Sequence, residues 1–322
     1  MDAVTLILFI LGFVLLIGGA ELLVRGASKL ALAVGISPLV VGLTVVAYGT
    51  SAPELAVTIG AATSGQSDLA LGNVIGSNIS NILLVLGLAA ILGSPLIVNQ
   101  QLVRLEIPLM IGVSMLVLLM GLDGKIGRID GLILALGAIS YTVFVVRKSR
   151  MESRAIKKQY DEAIDGQAAK AKNVKDFLLQ LGMIAVGLAL LVLGADWLIN
   201  GAVVIAEILG VSKLVIGLTV VAVGTSLPEI ATSIIASIRN QRDIAVGNAV
   251  GSNIFNILLV LGVTAMVAPL GVAVSSAALK FDIPVMITVA AAALPIFFTD
   301  YRIDRWEGYL FMFFYAAYTA YL

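Results

Sequence analysis

Residues 42–57 read GLTVVAYGTSAPELAV and residues 217–232 read GLTVVAVGTSLPEIAT, identical at 12 of 16 positions with an offset of 175. Outward from that string, residues 69–87 (LALGNVIGSNISNILLVLG) match residues 244–262 (IAVGNAVGSNIFNILLVLG) at 14 of 19 positions and the same offset. Two separate strings sharing one offset make the halves of the chain copies of one unit. Fainter echoes extend the match: VRLEIPLMI from Val103 parallels LKFDIPVMI from Leu279, and the segment around Arg128 parallels that around Arg305.

The strings are embedded in apolar sequence. Of 322 residues, 60% are hydrophobic and 12% charged. The apolar runs are about 20 residues long, enough to cross a hydrocarbon core of ~30 Å. The expected fold class is therefore an all-α integral membrane protein, with its bilayer as obligatory surroundings, and a secreted or cytosolic globule is excluded. Spans are expected near 4–24, 38–63, 69–92, 105–121, 131–146, 177–199, 213–236, 244–267, 283–298 and 306–322. The first is read as a retained span, because Asp2 is its only early charge and no basic segment precedes it.

Ten spans in two copies give five each, an odd number, so the second copy must enter the bilayer upside down. The expected organisation is a first five-helix repeat over 1–147, a cytoplasmic loop over 148–176 and a second, inverted repeat over 177–322. Inverted repeats with paired broken helices belong to secondary transporters, whose sites lie near the midplane. With both termini outside, 16 of the 20 Lys and Arg residues fall on the cytoplasmic side, as the positive-inside rule favours for a multi-pass protein of the plasma membrane. The loop is read as a solvated linker holding one short amphipathic helix, from the four-residue recurrence of Ile156, Tyr160 and Ile164.

With no Cys and no His, disulfides, thiolate nucleophiles, zinc–thiolate sites and imidazole ligands are all excluded, so any site must be built from oxygen. Twenty Lys and Arg balance 20 Asp and Glu, leaving no basic surplus for nucleic acid. The chemistry concentrates in G-T-S-x-P-E, which places Thr50, Ser51, Pro53 and Glu54 in one half and Thr225, Ser226, Pro228 and Glu229 in the other. A carboxylate in mid-membrane costs at least about 2.5 kcal/mol, so each Glu must be protonated, paired or exposed to a polar cavity. Each Pro lacks an N–H and frees the carbonyl four residues earlier, at Gly49 and Gly224. The backbone near Ala47 and Ala222 is expected to complete the pocket. An isolated Pro reads as a plain kink; two kinks at equivalent positions, each followed by Glu, read as a site.

The second string, G-N-x-x-G-S-N-x-x-N, supplies Asn73, Ser77, Asn78 and Asn81, then Asn248, Ser252, Asn253 and Asn256. These amides and hydroxyls serve equally well as polar contacts between helices. Two carboxylates, hydroxyls, amide oxygens and freed carbonyls describe a site for a hard cation. Calcium, with 6 to 8 oxygens in flexible geometry, fits better than magnesium, and sodium uses subsets of the same oxygens.

These strings resemble the α-repeats of the sodium/calcium exchangers of the calcium/cation antiporter superfamily, and the resemblance spans essentially the whole chain. It implies a prokaryotic-type antiporter working by alternating access. By position it implies that Glu54, Glu229, Thr50 and Thr225 bind calcium, while Ala47, Ala222, Ser77, Ser252, Asn81 and Asn256 serve sodium; Ser51, Ser226, Asn73 and Asn248 are secondary candidates. Some relatives, including potassium-dependent ones, carry Asp where Asn256 stands, so potassium transport is not expected. Calcium and sodium are cargo; no cofactor, enzymatic activity, nucleic acid or obligatory protein partner is expected. Calcium/proton exchange and, less favoured, a cation channel are the alternative readings, with an intramembrane protease weaker still.

Glycines recur every seven residues as Gly12, Gly19 and Gly26 in the first span and Gly187, Gly194 and Gly201 in the sixth. They read either as close helix packing or as smooth faces on which these two spans slide together over the other eight. Two further carboxylate pairs, Glu21 with Asp196 and Glu106 with Asp282, read as interfacial or structural, with ion entry as the alternative.

Overall fold

The computed structural model describes residues 3–93, 95–163, 174–209, 222–298 and 300–321. Helices dominate. The first half holds α1 (Ala3–Val34), α2 (Pro38–Val41), α3 (Ala47–Thr50), α4 (Ala52–Thr63), α5 (Ser67–Ser80), α6 (Leu86–Leu92), α7 (Ile107–Met120) and α8 (Arg128–Ala163). The second holds α9 (Val174–Ile208), α10 (Ala222–Thr225), α11 (Leu227–Ile238), α12 (Arg242–Phe255), α13 (Gly262–Val267), α14 (Ile283–Phe298) and α15 (Arg305–Tyr321).

Seven helical segments of the described residues are long and apolar enough to cross a membrane, and the pair Pro38–Thr50 with Ala52–Thr63, bent by 44°, makes an eighth. Of the other two expected spans, the 17-residue α15 is shorter than the rest, and residues 213–221 of the 213–236 span lie outside the described residues. Three boundaries differ from expectation. The apolar run of the first span ends at 24, yet α1 continues through Arg25 and Lys29 to Val34. α9 likewise runs on past 199 to Ile208. The 131–146 span is part of α8, which carries the polar segment to Ala163, so that segment begins as a helical extension of the span rather than as a separate short helix. Charge ends a membrane segment, but it does not end a helix whose backbone bonds are all internal. Ile164 lies outside the described residues.

α1 and α9 pack against each other along most of their length, and they run antiparallel. A Cβ built on Gly12 would sit 3.0 Å from the carbonyl of Gly194, and one on Gly19 2.7 Å from that of Gly187. The reciprocal additions at Gly187 and Gly194 meet the carbonyls of Gly19 and Gly12 at 2.8 Å. Gly26 and Gly201 face α9 and α1 in the same way. The seven-residue stripes therefore do not form a smooth face toward the remaining helices; they join α1 to α9, because only glycine lets two backbones approach this closely.

The more buried layer is α5–α6 with α12–α13, and its contacts recur in pairs. The Asn78 amide donates to the Asn253 carbonyl at 3.3 Å, and that of Asn253 to the Asn78 carbonyl at 3.0 Å. α8 crosses α13 where Gly131 meets Gly262, and α6 crosses α15 where Gly87 meets Gly308. Two antiparallel strand pairs clip the halves together: Leu96–Ile97 with Arg302–Ile303, and Lys125–Ile126 with Val272–Ala273. Next to them Arg305 donates to the Gly93 carbonyl and Arg128 to that of Pro269, so the sequence echo between the two Arg segments is a shared anchoring role.

Candidate cation site

The site lies where two broken helices meet. α3 ends at Thr50, and α4 starts at Ala52 with Pro53 in its first turn. Pro there lacks the donor that a first-turn position leaves unused in any case. Ser51 carries the break, and Ser226 holds the same place between α10 and α11. Glu54 and Glu229 follow in the first turns of α4 and α11, where the helix N-terminus favours negative charge. Gly49 and Gly224 let α9 lie against both breaks, through Leu188 and Ile199 respectively.

Glu54 and Glu229 are 1% and 0% exposed, and among the described residues neither makes an ion pair. Among the described residues, both carboxylate oxygens of Glu54 and one of Glu229 have no hydrogen-bond donor; the other Glu229 oxygen accepts from the Ser51 hydroxyl at 3.4 Å. Ser77, Ser252 and Ser226 hydroxyls and both polar atoms of Asn81 and Asn256 are likewise buried without partners. Asn81 and Asn256 each open a turn of π-helix, a local widening frequent at functional sites. A hydrogen-bonded core does not leave so many polar atoms unmatched. Their clustering on the equivalent helices of both halves is what oxygen ligands for a desolvated cation require.

Thr50 and Thr225 reach across the halves. The Thr50 hydroxyl donates to Asn248 Oδ1 at 3.1 Å, and that of Thr225 to Asn73 Oδ1 at 3.4 Å. Asn73 and Asn248 thus touch the threonines of the opposite repeat. The amide nitrogen of Asn73 donates to Thr58 Oγ1 at 2.9 Å, and that of Asn248 to Ser233 Oγ at 3.0 Å. Thr58 and Ser233 were not singled out from the sequence, although each stands four residues after its Glu, at the common offset of 175.

One expectation needs correction. The carbonyl of Ala47 is not freed, since it accepts the Ser51 N–H at 3.0 Å and lies 3.4 Å from the Thr50 hydroxyl. In the second half the Ser226 N–H turns instead to Val223, at 3.1 Å, so the carbonyl of Ala222 is spared that bond. The break tightens differently on the two sides.

Elsewhere, Glu21 pairs with Arg25 and Arg239, whereas Asp196 is exposed. Glu106 is buried and fully engaged, accepting from Tyr141 at 2.6 Å and Gln101 at 2.8 Å, which marks it as structural. Among the described residues no group of three or more acidic, His or Cys side chains could hold a metal, so any site rests on two carboxylates and neutral oxygens.

The family described as sodium/calcium exchanger protein matches residues 4–147 and 179–322. This chain is a member of that family. The exchanger is 32% identical over 312 residues to the sodium/calcium exchanger MaX1 of Methanosarcina acetivorans, covering 85% of this chain and 86% of that one. It is 37% identical over 228 residues to the inner membrane protein YrbG of Escherichia coli, covering 70% and 68% of the two chains. Among solved structures it resembles the sodium-calcium exchanger NCX_Mj soaked with 10 mM sodium and no calcium, at a TM-score of 0.85 and 31% identity over the full length of both chains. The fold is thus that of a membrane cation antiporter.

Proposed function

We propose that the exchanger moves calcium against sodium across the plasma membrane by alternating access, with Glu54 and Glu229 as the shared central ligands. The observation that carries this reading is the buried cluster of unmatched oxygens around two carboxylates that, among the described residues, no cationic side chain neutralises. One calcium ion, or several sodium ions, supplies the missing charge. Thr50, Thr225 and the two glutamates form the calcium site; Ser77, Ser252, Asn81, Asn256 and the carbonyl of Ala222 add sodium positions, with Ser51 and Ser226 at the breaks. The Ala47 carbonyl, which already accepts the Ser51 N–H, joins them through its second lone pair.

An empty site carrying two bare carboxylates crosses the membrane poorly, and that enforces exchange. The antiparallel packing of α1 on α9 supports an inverted relation between two five-helix repeats, 1–147 and 177–322, and the ten helices read from the sequence then put both termini outside and 148–176 inside. The glycine-joined pair α1–α9 moves as one body against the rest. No chemical step is needed, and no protein partner.

Calcium uptake into sodium-loaded proteoliposomes, compared with potassium-loaded and acid-loaded vesicles, tests the reading. Uptake that requires outward sodium supports it. Uptake driven by the proton gradient alone replaces it with calcium/proton exchange, and uptake needing no counter-ion gradient would make the protein a channel. The hydroxyls around Glu229 favour sodium, which binds neutral oxygens that a proton would not need.

A further inference from the structure

We propose that Thr58 and Ser233 are positioning residues for the cation site, acting through the amides of Asn73 and Asn248. The proposal rests on the reading of Thr50 and Thr225 as ligands. A hydroxyl oxygen that coordinates a cation must aim a lone pair at it, so its proton has to be received elsewhere. Asn248 Oδ1 receives the proton of Thr50, and Asn73 Oδ1 that of Thr225. Each amide helps only if its oxygen, and not its NH2, faces the threonine.

Thr58 enforces that choice. Its hydroxyl donates to the Glu54 carbonyl at 2.6 Å, which commits its single proton. Toward Asn73 the Thr58 oxygen can then only accept, so the amide nitrogen must point at it and the amide oxygen toward Thr225. In the other half Ser233 donates to the Ala245 carbonyl at 3.3 Å and accepts from Asn248. The same circuit, built from a Thr in one repeat and a Ser in the other, indicates that what matters is the hydroxyl. The amide nitrogens of Asn73 and Asn248 also reach the Glu54 and Glu229 carbonyls, at 3.5 and 3.4 Å, the long limit of a hydrogen bond. With the hydroxyl acceptor removed, only that long contact opposes a turned amide, and an NH2 facing Thr225 would rotate the threonine proton toward the ion.

Thr58→Val keeps the shape and deletes the acceptor. Calcium uptake by this variant should half-saturate at about three- to tenfold higher calcium, the factor one net hydrogen bond supplies, with maximal flux retained. Thr58→Ser should restore the wild-type value. Ser233→Ala, a milder truncation, provides a second reading if the valine variant folds poorly. Half-saturation unchanged in both variants overturns the proposal, as does a valine effect that serine fails to rescue. A wild-type protein without calcium uptake would instead overturn the proposed function.

A separate observation concerns one end of the molecule. The geometry points to the Glu21–Arg239 ion pair as a latch that holds α1 against α11 and favours one access state. Arg239 grips Glu21 with two nitrogens, both at 2.9 Å, and Arg25 joins them. α1 packs along α11, and Ala231 of α11 is buried. At the offset of 175, Arg239 corresponds to Ser64, which cannot form an ion pair. The matching face of α4, at Ala52, Ala56 and Gly60, is exposed. Among the described residues the α1–α9 body thus leans on the end that carries Arg239, and the ion pairs that tie α1 to α11 are those of Glu21.

The absence of native Cys makes single-cysteine reporters clean. Glu21→Gln and Arg239→Gln should each slow maleimide labelling of Ala56→Cys and speed that of Ala231→Cys, by about two- to fivefold, the scale of an exposed ion pair. Ser64→Arg, which puts a cation at the position equivalent to Arg239, where Asp196 as the equivalent of Glu21 would pair with it once the body leans on α4, should shift both rates in the same direction. Unchanged rates in both glutamine variants overturn the latch. Rates that in the unlatched and latched protein alike ignore sodium and calcium count against alternating access itself.

Discussion

Glu54 and Glu229 are equivalent in sequence but not in surroundings. Glu229 already accepts from the Ser51 hydroxyl, whereas among the described residues no side chain donates to Glu54. Glu54→Gln and Glu229→Gln should each reduce calcium uptake at least tenfold, because either change leaves one negative charge against a divalent ion; more than half of wild-type uptake in either variant would contradict the assignment. Asn81 and Asn256 are both neutral, so Asn256→Asp adds a third buried carboxylate to the same cluster. Uptake by that variant should gain a dependence on an additional monovalent cation, measured by titrating potassium at fixed sodium. The buried polar side chains of the candidate site were legible in the sequence because charge and amide groups stand out against an apolar background. Thr58 and Ser233 were not, since a hydroxyl on a membrane helix looks the same whether it bonds its own backbone or orients a neighbour.

At the scale of helices, the periodic glycines showed that two close faces exist but not what they face. A stripe in one helix contains no record of its partner, and only the fold shows that the stripes of α1 and α9 meet each other. Gly19→Ala should destabilise the protein by about 1–3 kcal/mol, the usual penalty for overfilling a tight contact. Gly18→Ala is the control, since a Cβ there meets nothing within 4 Å; equal shifts in thermal unfolding for the two would show the stripe to be incidental. Span centres were legible because hydropathy reports the bilayer. Their ends were not, because α1, α8 and α9 continue as helix beyond the apolar run.

For the molecule as a whole, the motion can be tested by cross-linking. Leu32 on α1 and Leu179 on α9 line one cavity, so a short bifunctional maleimide between cysteines placed there should leave sodium-dependent uptake intact if the pair moves as one body. The same reagent between Arg25→Cys and Arg239→Cys should stop it. Loss of transport in the first case, or its survival in the second, would reject the rigid pair. The repeat made the paired contacts of the two halves legible, while the uneven seating of α1–α9 between α4 and α11 breaks that repeat and leaves no trace in composition. The crossed bonds of Asn78 and Asn253 have a further consequence. Each residue binds the backbone of its own counterpart, which is the self-complementary logic of a twofold homodimer interface. A change at one of these asparagines therefore removes only half of a symmetric handshake, and the covalent chain does for the two halves what concentration must do for separate subunits: it keeps a weakened pair in register.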